Sequence, residues 1–227
     1  MAENIEIDYL EYPFEIKIRH HVTSQMYFKL EDLVNPTELY PPLLDKMDWT
    51  QCFANGKKPE ILDIGCGKGV FLLSLANNNP EKNHLGIELR RYPVEWINSV
   101  AQGKELGNCF ALNYSVVNGL EFIEQNSIEQ IFYLFPDPWP KRKQQIRRAF
   151  NKDFLKMCDE ILVDGGKLYL ATDCDYVDNY HKKLLAESKK FDFRRPETNE
   201  WDLPLTNKER FCVEKNINIY RWICTKK

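Results

Sequence analysis

Apolar residues along this chain occur in short runs that alternate with segments of helical periodicity. Strands are predicted over 60–64, 84–88, 109–112, 127–135 and 167–172, and helices over 70–77, 94–105, 119–125, 150–162 and 176–187. This alternation is typical of a mostly parallel sheet that carries helices on both faces. The pattern therefore predicts one doubly wound α/β domain from residue 59 onward.

The two ends of the chain depart from this alternation. Residues 1–58 contain several prolines and end in a polar stretch, so we expect an N-terminal extension with short helices. Residues 191–195 and 217–225 predict two further strands, separated by a loop that includes 201–214. The expected organisation is an extension over 1–58 followed by a domain over 59–227.

Composition excludes several classes of protein. The 227 residues are 43% hydrophobic and 29% charged, as in ordinary globular chains. The acidic N-terminus and the lack of an apolar run of about 18 residues argue against secretion and membrane association. Seven cysteines without a C-x-x-C pair disfavour a disulfide framework or a zinc site. We expect a cytoplasmic protein without a metal.

Positive charge is concentrated in one segment of an otherwise acidic chain. The net charge is -3, yet residues 141–148 hold five basic residues and no acidic one. We call these residues the basic segment. A local positive surface on an acidic body suits contact with a polyanion.

The first predicted strand leads into a glycine-rich turn. Asp63 lies near the end of this strand, and Gly65, Gly67 and Gly69 follow with G-x-G-x-G spacing, which lets the backbone approach a ligand closely. Both the G-x-G-x-x-G spacing of dinucleotide sites and the phosphate-loop sequence are absent. The turn therefore suits a cationic or hydroxyl-rich ligand without phosphate, a description that S-adenosylmethionine fits. A glycine turn of some other α/β protein is the alternative.

Polar residues also end the next two strands. Glu88 lies where a carboxylate accepts hydrogen bonds from both hydroxyls of a ribose, although nicotinamide dinucleotides are held in the same way. Asn113 lies where a side-chain amide can read the edge of an adenine. Tyr114 and Ser115 are alternatives for that place, and an ordinary turn asparagine is another.

An aromatic strand then ends in the turn Pro136-Asp137-Pro138-Trp139-Pro140. The prolines make this turn stiff and hold one carboxylate and one indole beside the expected ligand crevice. A carboxylate can accept hydrogen bonds from a guanine, and a base can stack on an aromatic ring. Phosphates would meet the cations Lys141, Arg142, Lys143, Arg147 and Arg148. A solvated basic helix start is the alternative.

These residues resemble a known family. The run from Phe135 to Lys141, with Arg147-Arg148 after it, is similar to the signature of the tRNA (guanine-N7-)-methyltransferases, the TrmB family. Further similarities are the loop from Asp63 to Gly69, Ala171-Thr172-Asp173, Thr206-x-x-Glu209-Arg210 and Ile219-Tyr220-Arg221-Trp222. In the extension, Arg19-His20-His21-Val22 resembles the R-x-H-V segment of the family, although Thr23-Ser24 replaces the usual Asn-Pro.

The resemblance implies a class I S-adenosylmethionine-dependent methyltransferase fold, Rossmann-like, with a mostly parallel seven-stranded sheet over 59–227. It implies methylation of N7 of guanosine 46 in tRNA by a monomer or a homodimer. The cofactor-binding residues would be Asp63, Gly65, Gly67, Glu88 and Asn113. Asp137 would be catalytic, and the residues that bind substrate would be Asp137, Lys141, Arg142, Arg147, Asp173, Thr206 and Glu209.

The chemistry of guanine limits what these acids have to do. N7 carries a lone pair and no proton at neutral pH, so orientation of the reactants dominates the rate and no general base is needed. Asp137 is expected to orient the base and to stabilise its developing positive charge. Two alternatives remain. One is a class I methyltransferase for a small molecule or a protein, which leaves the basic segment without a purpose. The other is a non-catalytic RNA-binding subunit, against which the intact ligand loop argues.

Overall fold

The computed structural model describes residues 2–15, 23–197 and 199–227. The expected match at Arg19-His20-His21-Val22 lies outside these described residues.

Seven strands in the described residues form one sheet in the order β3-β2-β1-β4-β5-β7-β6. Their bounds are β1 Ile61–Ile64, β2 His84–Glu88, β3 Cys109–Asn113, β4 Ile128–Leu134, β5 Leu162–Thr172, β6 Phe191–Arg194 and β7 Tyr220–Lys226. Every pairing is parallel except those made by β7, which runs antiparallel to β5 and to β6. The sheet confirms the predicted fold class.

Five α-helices connect these strands in the described residues: α1 Val70–Asn78, α2 Arg91–Gly103, α3 Lys152–Ile161, α4 Asp175–Ser188 and α5 Asn207–Glu214. Short 3-10 helices cover Ser24–Tyr27, Leu30–Asp32, Trp49–Gln51, Val116–Asn118 and Arg142–Arg147. None of the helices in these ranges is long and apolar enough to cross a membrane.

Two predicted elements were wrong. The helix expected over 119–125 is absent, because Gly119 has a φ of +98° and directs the chain into turns whose apolar side chains are buried. The loop expected over 201–214 contains α5. In addition, α3 ends at Ile161, and β5 begins at Leu162 instead of residue 167.

Apolar side chains on both faces of the sheet explain why the strands read as nearly continuous apolar runs. On one face, Leu62 and Ile131 pack in the cluster that contains Phe154 of α3. On the other face, Ile61 and Phe132 pack with Phe71 of α1. Because neighbouring residues of a strand point to opposite faces, helices cover the sheet from both sides.

Described residues of the expected extension pack against the α/β domain. The indole N–H of Trp96 in α2 donates to the carbonyl of Tyr12 at 3.2 Å. Met26 is buried, and its carbonyl accepts from the hydroxyl of Ser115 at 3.0 Å. This second contact brings the segment around Met26 to the carboxyl edge of the sheet, just after β3. The domain boundary at residue 58 stays a prediction.

Candidate functional site

The carboxyl ends of the parallel strands border a crevice where the chain order reverses, between β1 and β4. Two cavities of about 230 and 190 Å³ lie there. The first, which we call the loop cavity, is lined by the glycine turn and by Asp63, Thr206 and Lys208. The second, the turn cavity, is lined by Glu88, Tyr114, Ser115, Asp137, Trp139 and Arg147 among others. Gly65, Arg90, Leu134 and Phe135 line both, so the two cavities adjoin.

The glycine turn that lines the loop cavity depends on left-handed backbone. Gly65, Gly67 and Gly69 have φ values of +79°, +59° and +71°, which side chains rarely adopt. A Cβ on Gly69 would lie 2.3 Å from Cγ1 of Ile97, so this glycine also allows α1 to start directly against α2. No atom lies within 4 Å of a Cβ built on Gly65. The turn thus leaves open space for a ligand beside Gly65.

Asp63 is a buried carboxyl group at the base of the loop cavity, with 3% of its surface exposed. Burial raises the pKa of Asp63 to about 8, and the negative charge of Glu88 adds to this shift. Both causes destabilise the ionised form. A cation bound in the loop cavity would offset them, so the site favours a ligand with a positive group.

Glu88 has its acceptor capacity filled in this structure. Its carboxylate accepts from the backbone N–H of Gly67 at 3.0 Å and from the backbone N–H of Arg90 at 3.1 Å. The guanidinium of Arg90 donates two further bonds, of 2.8 and 3.2 Å. A carboxylate has about four acceptor sites. A diol can therefore bind to Glu88 only if the guanidinium of Arg90 moves away.

Asn113 lines neither of the two cavities. Its side-chain amide donates to the carbonyls of Glu88 and Leu89, at 3.1 and 2.9 Å, and so fixes the chain that leaves β2. Tyr114 and Ser115, the alternatives that the sequence left open, line the turn cavity. Asn113 is thus placed to position Glu88, whereas the next two residues are placed to meet a ligand.

The turn that carries Asp137 is strained at both ends. Phe135 and Trp139 have φ values of +52° and +43°, a left-handed conformation that costs about 1–3 kcal/mol for each residue other than glycine. The N–H of Phe135 donates to the carbonyl of Ala171 at 2.8 Å and ties the start of the turn to β5. Asp137 lies between the two strained residues and lines the turn cavity.

Tyr27, which the sequence gave no reason to select, lies at the same place. Its hydroxyl donates to Oδ2 of Asp137 at 2.6 Å. Its ring meets the indole of Trp139 edge to face, with 4.9 Å between ring centroids. A lone tyrosine that belongs to no motif carries no signal in the sequence. Only the fold brings it to Asp137.

The basic segment divides into exposed and buried cations. Lys141, Arg142 and Lys143 are exposed and lie in the chain between Trp139 and Arg147, which both line the turn cavity. Arg147 lines that cavity, and its Cζ lies 4.9 Å from the ring centroid of Trp139. Arg148 lines the same cavity but is buried and donates to backbone carbonyls, so the structure does not support the expected phosphate contact for this residue.

Thr206 and Glu209 form the N-terminal cap of α5. The hydroxyl of Thr206 accepts from the N–H of Glu209 at 2.9 Å, and the carboxylate of Glu209 accepts from the N–H of Thr206 at 3.0 Å. Glu209 is fully buried and also accepts from Trp201 and Arg221. These bonds direct its carboxylate into the protein, so the structure does not bring Glu209 to either cavity, whereas Thr206 lines the loop cavity.

Asp173, which follows β5, is linked to the same helix. Nζ of Lys208 lies 2.7 Å from its carboxylate, and Lys208 itself lines the loop cavity. The sequence selected Asp173 but not Lys208, because the Thr-x-x-Glu pattern leaves that position open. The ion pair joins the end of β5 to the start of α5 beside the cavity.

Known proteins resemble this chain in sequence. Residues 57–221 match the family Methyltransf_4, described as "Putative methyltransferase". The tRNA (guanine-N(7)-)-methyltransferase of Prochlorococcus marinus (strain MIT 9313) is 32% identical over 75% of this chain and 76% of its own length. Those of Geobacillus sp. (strain WCH70) and Buchnera aphidicola subsp. Baizongia pistaciae are 35% and 37% identical over 55% and 58% of this chain. The chain spans 56% and 53% of the length of these last two relatives.

Solved structures resemble the fold. The 16S rRNA methyltransferase KamB has a TM-score of 0.57 over 82% of this chain and 96% of its own, with 15% sequence identity. The aminoglycoside resistance methyltransferase NpmB1 has a TM-score of 0.53 over 75% of this chain and 88% of its own, with 16% identity. At this level of identity the similarity concerns the fold alone.

Proposed function

This chain belongs to the tRNA (guanine-N7-)-methyltransferase family, and from that premise we propose that it methylates N7 of guanosine 46 in tRNA, with S-adenosylmethionine as the methyl donor. The observation that carries the proposal is the contact between the two cavities. One is lined by the buried acid and the open glycine turn, the other by the carboxylate and the indole of the proline-rich turn, and four residues line both.

Residues of the loop cavity and of the adjoining part of the turn cavity fit the proposed donor, which supplies an electrophilic methyl group on a sulfonium. Asp63 offers a carboxyl group that becomes an anion beside a cationic amino group. Gly65 and Gly67 leave the backbone open for close approach. Glu88 offers acceptors for two hydroxyls once the guanidinium of Arg90 has moved, and Tyr114 and Ser115 line the adjacent wall. Asn113 positions Glu88, because its side-chain amide donates to the carbonyl of that residue.

Asp137 is the catalytic residue of the proposal. Its carboxylate lines the turn cavity, where it can accept hydrogen bonds from the N–H groups of a guanine. As N7 is alkylated the ring becomes cationic, and a nearby fixed negative charge stabilises that state. Because N7 has no proton to lose, Asp137 orients and stabilises the base and does not remove a proton.

The remaining substrate residues have different roles in this proposal. Arg147, beside Trp139, and the exposed Lys141 and Arg142 are available to phosphates of the tRNA. Thr206 lines the loop cavity, and Asp173 is linked to that cavity by its ion pair with Lys208 of α5. Glu209 acts indirectly, because its carboxylate is used to cap α5.

The exposed part of the basic segment favours tRNA over a small molecule or a protein as substrate. The chain has a net charge of -3, yet three exposed cations lie between two residues that line the turn cavity, and most contacts of proteins to nucleic acids are made to phosphate. The seven free thiols and a tRNA substrate support the cytoplasm as the location. A monomer or a homodimer remains the prediction for the assembly.

The test is methylation of bulk tRNA with a labelled donor, followed by chain cleavage at 7-methylguanosine to map the modified position. We expect label at guanosine 46. Label in another position would refute the proposed site. Donor binding without any methylated tRNA would favour a different substrate, and no donor binding would favour a non-catalytic RNA-binding subunit.

Replacement of Asp137 tests its assignment. We expect Asp137→Asn to lower kcat about 100-fold or more, because loss of one preorganised charged group costs roughly 10²- to 10³-fold in comparable sites. The Kd for S-adenosylmethionine, measured by calorimetry, should change less than threefold. A kcat close to that of the wild-type protein would contradict the catalytic role.

A further inference from the structure

Arg148 is the buried member of the basic segment, and its guanidinium is directed at the proline-rich turn. Only 9% of its surface is exposed. Nε and Nη2 donate to the carbonyl of Pro138 at 3.1 and 2.8 Å, and Nη2 also donates to the carbonyl of Trp139 at 3.2 Å. These two carbonyls belong to the residues that directly follow Asp137.

The turn needs support of this kind. Three of its five residues from Pro136 to Pro140 are prolines, which have no N–H to donate. Phe135 and Trp139 at its ends hold left-handed backbone, which persists only where surrounding contacts enforce it. The bond from Phe135 to Ala171 fixes the first end. Arg148 fixes the second.

The guanidinium is itself held in place from the opposite side. Its Cζ lies 4.7 Å from the ring centroid of Tyr180 and 5.8 Å from that of Tyr176, both in α4. These cation–π contacts stabilise a buried cation that has no carboxylate among the partners described here. Arg148 thus connects α4 to the turn that carries Asp137.

We propose that Arg148 is a positioning residue for the methyl transfer, which orients Asp137 by fixing the carbonyls of Pro138 and Trp139. The inference rests on the proposed function for its reaction. Both Arg147 and Arg148 line the turn cavity, but Arg148 is buried and its Nε and Nη2 are used on the carbonyls of the turn, whereas Arg147 lies over the ring of Trp139. The pair Arg147-Arg148 therefore divides into a residue that faces substrate and a residue that supports the turn.

Two replacements test the role. Arg148→Lys keeps the charge but loses the planar fork of donors, and Arg148→Met removes both. We expect kcat to fall about 10-fold in the first and about 100-fold in the second, because small displacements of a catalytic group cost up to roughly 10²-fold. KM for tRNA, Kd for S-adenosylmethionine and the salt dependence of tRNA binding should change little. A kcat of Arg148→Lys within twofold of the wild-type value would overturn the proposal.

Leu184→Ala is the matched control for a structural effect. It removes core packing of α4 and none of the described contacts of Arg148, so we expect a lower Tm with kcat within threefold of the wild-type value. If Leu184→Ala and Arg148→Lys lowered kcat in proportion to their Tm, the effect would be one of stability alone, and the proposal would be wrong.

Hydrogen exchange gives a readout that does not depend on the substrate. The backbone amides between Phe135 and Arg147 should exchange at least 10-fold faster in Arg148→Lys than in the wild-type protein, and near the wild-type rate in Leu184→Ala. Unchanged exchange in Arg148→Lys would overturn the supporting role even if tRNA were not the substrate. Failure of the proposed function would appear instead as a wild-type protein that forms no 7-methylguanosine.

Discussion

Asp63 is a carboxyl group in an environment far from water. Burial against the glycine turn, with Glu88 nearby, raises its pKa to about 8. The carboxyl group is therefore mostly protonated in the free protein at neutral pH, and it must ionise to pair with a cation. Binding of a cationic ligand is then coupled to release of a proton.

This coupling predicts how affinity depends on pH. The Kd for S-adenosylmethionine should fall as pH rises from 6 to 8, by up to about tenfold per pH unit for one released proton, and should level off above 8. Calorimetry in buffers of different ionisation enthalpy measures the proton directly. Asp63→Asn should bind more weakly and without this dependence, and the same slope in that variant would assign the proton to another group.

The same group predicts the sign of a stability change. The folded protein holds the proton of Asp63 up to about pH 8, whereas the unfolded chain loses it near 4. Between these values the folded state binds more protons, so this group lowers the free energy of unfolding as pH rises. Chemical denaturation of the free protein should show a smaller decline from pH 5 to 8 in Asp63→Asn than in the wild type, and an equal decline would contradict the raised pKa.

Tyr27 is a further residue whose role can be measured. The hydroxyl of Tyr27 donates to Oδ2 of Asp137 and so fixes the orientation of the carboxylate. We expect Tyr27→Phe, which keeps the contact with Trp139, to lower kcat about 5- to 20-fold with little change in the Kd for S-adenosylmethionine. Unchanged kcat together with a lower KM for tRNA would mean instead that Tyr27 only occupies the place of the base.

Sequence reasoning at this scale succeeded for residues that belong to a local pattern. The acids and glycines of the first turn, and the residues from Asp137 to Arg147, stand together in the chain, so their spacing alone selects them. Tyr27, Arg90, Lys208 and Arg148 depend on contacts between distant segments or on the direction of one side chain. The spacing of residues in the sequence does not predict such contacts. For this reason Arg148 was expected to contact phosphates, whereas in the structure it donates to carbonyls of the turn.

At the scale of elements, the close packing of the start of α1 against α2 restricts which residue can occupy the end of the glycine turn. Gly69 precedes α1 with a φ of +71°, and any side chain there would meet Ile97 in α2. Gly65 has a similar backbone conformation, but open space surrounds its position. A side chain at Gly65 would therefore cause backbone strain alone, whereas a side chain at Gly69 would cause strain and a steric clash.

Alanine at each glycine makes this difference measurable. Gly65→Ala should lower the free energy of unfolding by about 1–2 kcal/mol through strain alone. Gly69→Ala should lower it by about 3 kcal/mol or more, because overpacking adds about 1–3 kcal/mol. Urea denaturation without ligand checks both values, and equal losses in the two variants would contradict the packing that the structure shows.

The elements show where a hydrophobic pattern is sufficient and where it is not. The strands that are buried on both faces, and the amphipathic α2, α3 and α4, were all predicted from periodicity. The missing helix at 119–125 and the unforeseen α5 were both decided by features other than apolar periodicity. Gly119 overrides an apolar spacing that suits a helix, while α5 begins at a capping box in a segment with little apolar periodicity. Backbone conformation and capping decided these two segments.

At the scale of the whole molecule, charge is separated between the site and the remainder of the chain. The net charge is -3, yet exposed cations of the basic segment lie in the chain between residues that line the turn cavity at the carboxyl edge of the sheet. At the opposite edge, Lys190 precedes β6 and Lys227 follows β7, each paired with an aspartate. If the carboxyl edge binds tRNA, only the first group of cations should affect affinity.

The salt dependence of tRNA binding tests this orientation. Lys141→Gln with Arg142→Gln should weaken binding and lower the slope of log K against log salt concentration by about 0.7–0.9 for each lost phosphate contact. The matched control, Lys190→Gln with Lys227→Gln, changes the net charge equally and should leave the slope unchanged. Equal effects of the two pairs would show that net charge, and not this surface, governs binding.

Methyl transfer in this site requires one arrangement, in which the donor extends from the loop cavity to Glu88 in the adjoining turn cavity, with its reactive end toward Asp137. A crystal structure with S-adenosylhomocysteine measures it directly. We predict the amino acid end of the ligand at Asp63, the ribose hydroxyls on Glu88 with Arg90 displaced, and the sulfur facing the turn cavity. A ligand bound elsewhere, or a sulfur that faces away from Asp137 while Arg90 still pairs with Glu88, would contradict the account.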